Sequence, residues 1–225
     1  MVAIVAMLGL AGGAGAQQVV DRIAVRIEND ILTESEFQEL EKFQNLWRRK
    51  GRVAGAGAGA STTSAQGAKR EELLRQLVEQ WIVEREAEAG RFRGPTAQEI
   101  QQEMQRLEAE TGGAEAFEAR LRELGMNRGG VARLLEKMLR LTRYLDHKFR
   151  PAAQVEAAQI ETFYREEWAP GARARGITAP ALEAVQEQLR EILIEREITA
   201  RAGRWLEETR SQLRIEIAGK EAVKK

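Results

Sequence analysis

Val19-Val20-Asp21-Arg22-Ile23-Ala24-Val25-Arg26-Ile27-Glu28-Asn29-Asp30-Ile31-Leu32-Thr33-Glu34-Ser35-Glu36-Phe37 decides how this chain folds. Ile23, Val25 and Ile27 alternate with Arg22, Ala24, Arg26 and Glu28, the period of a half-buried strand. Asn29-Asp30 predicts a tight turn, because both residues tolerate positive φ and can bond their own backbone. Thr33 and Glu36 have the spacing of a capping box, with Leu32 and Phe37 placed as a hydrophobic staple, so a helix starts there.

A matching strand pattern closes the chain, where Leu213, Ile215 and Ile217 alternate with Arg214, Glu216 and Ala218. A lone short strand cannot satisfy its backbone groups, so a strand near each end predicts that the two pair. The predicted fold is mainly α: a helical bundle with a long C-terminal helix and a small β ribbon joining the two ends.

Between the strands the apolar residues recur at helical spacing. The first helix runs from Thr33 to about Lys50. Residues 51–68, rich in Gly, Ala and Ser, read as a flexible loop. They lack the Gly-Lys-Ser/Thr ending and the feeding strand of a phosphate-cradling loop. The second helix spans Lys69 to Ala89. Thr96 and Glu99 form another capping box and open a third, bearing Ile100, Met104 and Leu107. Phe117, Leu121 and Leu124 mark a fourth, and Val131 to Leu145 a fifth that Pro151 ends. A sixth extends from about Val155 to Trp168. Residues 169–180 read as a linker, and the last helix covers Ala181 to about Gln212. At 1.5 Å per residue it extends ~48 Å, so it must reach across or beyond the other helices. Its stripe of Val185, Leu189, Ile192 and Leu193 weakens between Arg196 and Arg204, which argues against a continuous coiled coil.

Composition narrows the function. Lys+Arg and Asp+Glu balance at 35 each, which argues against nucleic-acid binding, since that wants a basic excess on one face. Val2 to Leu10 is a short apolar run followed by Ala14-Gly15-Ala16. This predicts a secretory signal peptide over residues 1–16 cleaved after Ala16, although no Lys or Arg precedes the run. The run is too short to span a bilayer, so no stable membrane insertion is expected. With no cysteine, the exported chain has neither a disulfide framework nor a lipid anchor on Cys, and the bacterial periplasm is the expected compartment.

Catalytic patterns are thin. The single histidine, His147, sits near the end of the fifth helix and reads as a solvated helix-end residue. Two-histidine metal motifs and cysteine ligands are excluded by composition. Ser35, Ser61, Ser64 and Ser211 fall at a cap, in the Gly-rich segment or near a helix end, without an activating partner in view. No enzyme, cofactor or metal is expected.

The ordered motifs resemble a family. Glu28-Asn29-Asp30-Ile31-Leu32-Thr33-Glu34-Ser35-Glu36-Phe37 is similar to the start of SurA-type periplasmic chaperones. Leu73 to Ala87 resembles their second helix, Thr96-Ala97-Gln98-Glu99-Ile100 the start of their third, Phe117 to Gly125 their next segment, and Val155 to Tyr164 their "V...EI..YY" helix. Val185 to Ile217 is similar to their long last helix and closing strand. In SurA itself and related foldases, parvulin prolyl-isomerase domains follow the "YY" helix; here only about sixteen residues separate Tyr164 from the last helix. The resemblance therefore implies a chaperone core without those domains: residues 17–168, with 181–225 completing the unit.

It further implies an ATP-independent holdase for unfolded outer-membrane β-barrel precursors. A holdase needs exposed apolar surface that re-packs. Met104, Phe117, Leu121, Met126, Met138, Trp168 and Trp205 are the candidate client contacts. The alternative is a helical adaptor that binds one envelope partner through its last helix, and monomer against homodimer stays open.

Overall fold

The opening alternation becomes strand β1 (Ile23–Ile27), and the chain turns one residue earlier than predicted. Ile27 lies opposite Asp30, so Glu28-Asn29 forms a two-residue hairpin loop into a second strand, β2 (Asp30–Thr33). Glu28 takes the positive φ, at 52°. In the computed structural model, residues 21–47 and 62–218 are described. The predicted signal peptide and the Gly-rich residues 48–61 lie outside them, as do residues 219–225.

The first capping box forms as expected. The Thr33 backbone N–H donates to Glu36 Oε2 at 2.8 Å, and the Glu36 N–H donates to Thr33 Oγ1 at 3.3 Å, opening α1 (Glu34–Trp47). At the far end, β3 (Ile215–Ile217) pairs antiparallel with β1, giving the order β2-β1-β3. Val25 lies opposite Ile217 and Ile27 opposite Ile215, with Val25 and Ile27 wholly buried beneath the sheet. The two ends of the fold are joined in one sheet.

α2 (Thr62–Ala89) begins seven residues before the predicted start. Residues 62–68 therefore belong to a helix, not to the loop. Ala68 is a strong helix former, and Lys69 and Arg70, directly after the extension, pair with Glu41 (2.7 Å) and Glu34 (2.7 Å) of α1. α3 (Ala97–Thr111) opens on the Thr96–Glu99 capping box and α4 (Ala114–Leu124) follows. Both end on a left-handed residue, Gly112 at φ 107° and Gly125 at φ 61°, where a side chain would strain the backbone. α5 (Arg128–Phe149), capped by Asn127, passes into a 3₁₀ turn at Arg150–Ala152 containing Pro151.

The sixth helix departs from expectation. α6 (Ala157–Phe163) runs through a π turn (Tyr164–Trp168) into α7 (Ala169–Ala174). Much of the predicted linker at 169–180 is thus helical. Pro170, which has no N–H to carry the helical ladder on, lies just past the π turn in the first turn of α7. α8 (Leu182–Gln212) is the long last helix, packing along α6, α5 and α2 in turn.

Three apolar clusters result. The first unites the sheet with α1 and α2, closed by Tyr144 of α5 and Leu206 of α8. The second joins Phe43 and Leu46 of α1 to α3, α4 and the first half of α5. The third is small: Ile160 and Phe163 of α6 against Val185 and Leu189 of α8. It forms a helical arm distinct from the other two.

Candidate functional site

α2, α5 and α8 lie side by side, and between them runs a trough. Its larger part, about 510 Å³, is floored by Leu141 and Leu145 of α5 with Ile198, Ala202 and Leu206 of α8. It exists because α8 presents small residues there. Thr199, Ala202 and Gly203 leave a gap where a larger side chain would have closed the helix pair. This is the segment in which the apolar stripe of α8 weakens. A second part, about 400 Å³, continues toward the sheet over Leu74 and Val78 of α2 and Ile215 and Ile217 of β3.

Arg75 borders both parts. Its guanidinium donates to Glu72 (Nε to Oε2, 3.0 Å) and also to Glu79. The hydrogen bonds that Arg75 donates to Glu72 raise the Arg75 pKa and lower that of Glu72. At the far rim Arg150 bridges Glu191 (2.8 Å) and Asp146 (2.7 Å), which likewise raise its pKa. Arg210 pairs with Glu207 at 2.7 Å. Each of these arginines is paired with carboxylates, and Glu71 and Glu195 also line the trough, so its rim holds more carboxylates than guanidinium groups around an apolar floor. Such a surface suits an extended, apolar guest.

The seven predicted contacts are not brought together. Met104 of α3 and Phe117 and Leu121 of α4 are buried in the second cluster, Phe117 completely. In this conformation they have little surface to offer a client. Short helices such as α3 and α4 need those side chains to close against α1 and α5. Met126 and Met138 are half-buried on the same cluster. Trp168 stacks on Tyr164 at 5.7 Å and lines a separate hollow of about 300 Å³ with Phe163, Arg175 and Arg196. Trp205 packs between Tyr144 and Phe149, with Lys148 Nζ 4.5 Å from its ring centroid.

Among the described residues, no group of His, Asp or Glu is placed to hold a metal ion. No described helix is long and apolar enough to cross a membrane. His147 lies on the last turn of α5 with its ring 5.3 Å from that of Phe92. No protein-family model and no curated protein sequence matches the chain.

Proposed function

We propose that this protein is an ATP-independent periplasmic holdase that keeps unfolded outer-membrane β-barrel precursors from aggregating, without prolyl-isomerase activity. The observation that carries this reading is the trough between α2, α5 and α8, apolar in its floor and with the arginines of its rim already paired to carboxylates. Such a floor rewards many extended apolar segments about equally, which is what a promiscuous binder needs. The resemblance of the ordered motifs to SurA-type chaperones supports the same reading, as does a fold whose two ends share one sheet.

The test is light scattering of a chemically unfolded barrel protein diluted into buffer with residues 17–225. Suppression at near-stoichiometric ratio without nucleotide, for several unrelated barrels, is the expected result. A folded, helical chain that leaves every barrel to aggregate would overturn the proposal. The same preparation is expected to leave the isomerisation of a proline-containing test peptide at its uncatalysed rate.

A further inference from the structure

The sheet ends in an exposed edge, and the hydrogen-bond register shows which groups it presents. The Glu28 N–H donates to the Arg214 carbonyl at 3.0 Å, and the Ala218 N–H donates to the Ala24 carbonyl at 3.0 Å. Arg26 and Glu216 form the pair midway between them. In an antiparallel ladder the bonded residues alternate, so Arg214, Glu216 and Ala218 turn their backbone groups toward β1. Ile215 and Ile217 turn theirs away from it. Among the described residues nothing pairs with those outward N–H and C=O groups.

Beside this edge lies the 400 Å³ part of the trough, where Leu74 and Val78 are nearly fully buried in its floor. The Ile215 and Ile217 side chains are half-buried over the same floor, on the face they share with Val25 and Ile27. A strand laid against β3 would set the residues opposite Ile215 and Ile217 on that face too, because side chains alternate. Arg75 and Arg210 at the rim are already paired with Glu72, Glu79 and Glu207. The site therefore asks for backbone hydrogen bonds and alternate apolar side chains, not for an ion.

We propose that β3 is a strand-addition site: an extended polypeptide with apolar residues at every second position pairs with Ile215 and Ile217 and lays those residues over Leu74 and Val78. That alternation is the pattern of a segment destined to be a half-exposed strand. The identity of the guest as a barrel precursor rests on the holdase reading; the strand edge does not.

The probe is a soluble, fluorescently labelled peptide alternating Val or Tyr with Thr or Ser. It is compared with a composition-matched peptide whose apolar residues are grouped, and with one N-methylated on the amides that would face β3. Affinity is read by anisotropy and amide exchange at Ile215 and Ile217 by NMR. The alternating peptide is expected to bind and to slow exchange at both amides, and N-methylation to weaken it about tenfold, the weight of roughly one backbone hydrogen bond. Ile217→Pro removes an outward N–H while sparing the Glu216 ladder bonds, and edge strands tolerate proline. It is expected to weaken binding similarly with the helical circular dichroism unchanged.

Failure of the peptide to bind, equal affinity of the N-methylated peptide, or binding without protection of Ile215 and Ile217 would each overturn the site. If Ile217→Pro unfolds the chain, the N-methylated peptide on the wild type still decides. Suppressed barrel aggregation with these amides unprotected overturns the edge and leaves the holdase standing. Peptide pairing at the edge with no suppression overturns the holdase alone.

Discussion

Glu99 shows how much one side chain is asked to do. Its carboxylate accepts both Arg143 guanidinium nitrogens, at 2.7 and 2.8 Å, and the Thr96 backbone N–H at 2.7 Å. It thereby caps α3 and ties it to α5. The Arg143 hydrogen bonds, with those from Thr96, lower its pKa from 4.5 to about 2. A depressed folded-state pKa means that the unfolded chain binds the proton more readily. The contribution is then fully present above pH 4.5 and is lost as pH falls toward 2. Chemical denaturation across that range should show a Glu99→Gln variant with a flatter acid limb than the wild type, and less stable at neutral pH. Identical acid limbs would show that the pair contributes nothing. The Thr96–Glu99 box was legible in sequence, whereas Arg143, forty-four residues downstream, was not. Local spacing reveals caps; it cannot reveal which distant guanidinium completes them. Glu28 makes the same point. The sequence offered Asn29 and Asp30 for the turn, but Glu28 holds the positive φ, and its carboxylate accepts the Arg214 N–H at 2.7 Å from across the chain.

Among the elements, β3 is the smallest with the widest consequence. It covers Val25 and Ile27 and fixes the end of α8, so a chain ending at Gln212 should lose about 3 kcal/mol or more through exposure of those residues alone. A denaturant midpoint unchanged by that truncation would mean that β1 is held without it. The pairing of β1 and β3 was legible because each strand carries a clean two-residue period and neither could stand alone. β2 was not, since its four residues run straight into the Thr33 cap and show no period of their own. The trough was half legible. The stripe of α8 visibly falters between Arg196 and Arg204, but only the neighbouring helices show that Thr199, Ala202 and Gly203 face a gap and not solvent. The burial of Met104 and Phe117 was not legible for a related reason. A stripe at helical spacing reads the same whether its residues close a core or await a guest.

For the whole molecule, the clusters predict uneven stability. The arm of α6, the π turn, α7 and the first half of α8 rests on the small cluster of Ile160, Phe163, Val185 and Leu189, with Ala169 and Ala172 of α7 also buried, Arg190 donating to the Val155 carbonyl and Arg150 reaching Glu191. Leu189→Ala should therefore speed amide exchange through residues 157–174 while leaving α3 and α4 protected, a sub-global opening. Exchange rising equally everywhere would instead mean that the three clusters unfold as one. If the protein is the holdase proposed, its clients lie in the trough between α2, α5 and α8. Photo-crosslinking with benzoylphenylalanine tests it most directly, with the probe at Thr142 or Thr199 in the trough or at Ala119 on the far face of α4. All three are exposed. An unfolded barrel protein should be captured from Thr142 and Thr199 and not from Ala119. Capture from Ala119 with the two trough positions silent would place the client elsewhere and overturn the trough as the binding surface.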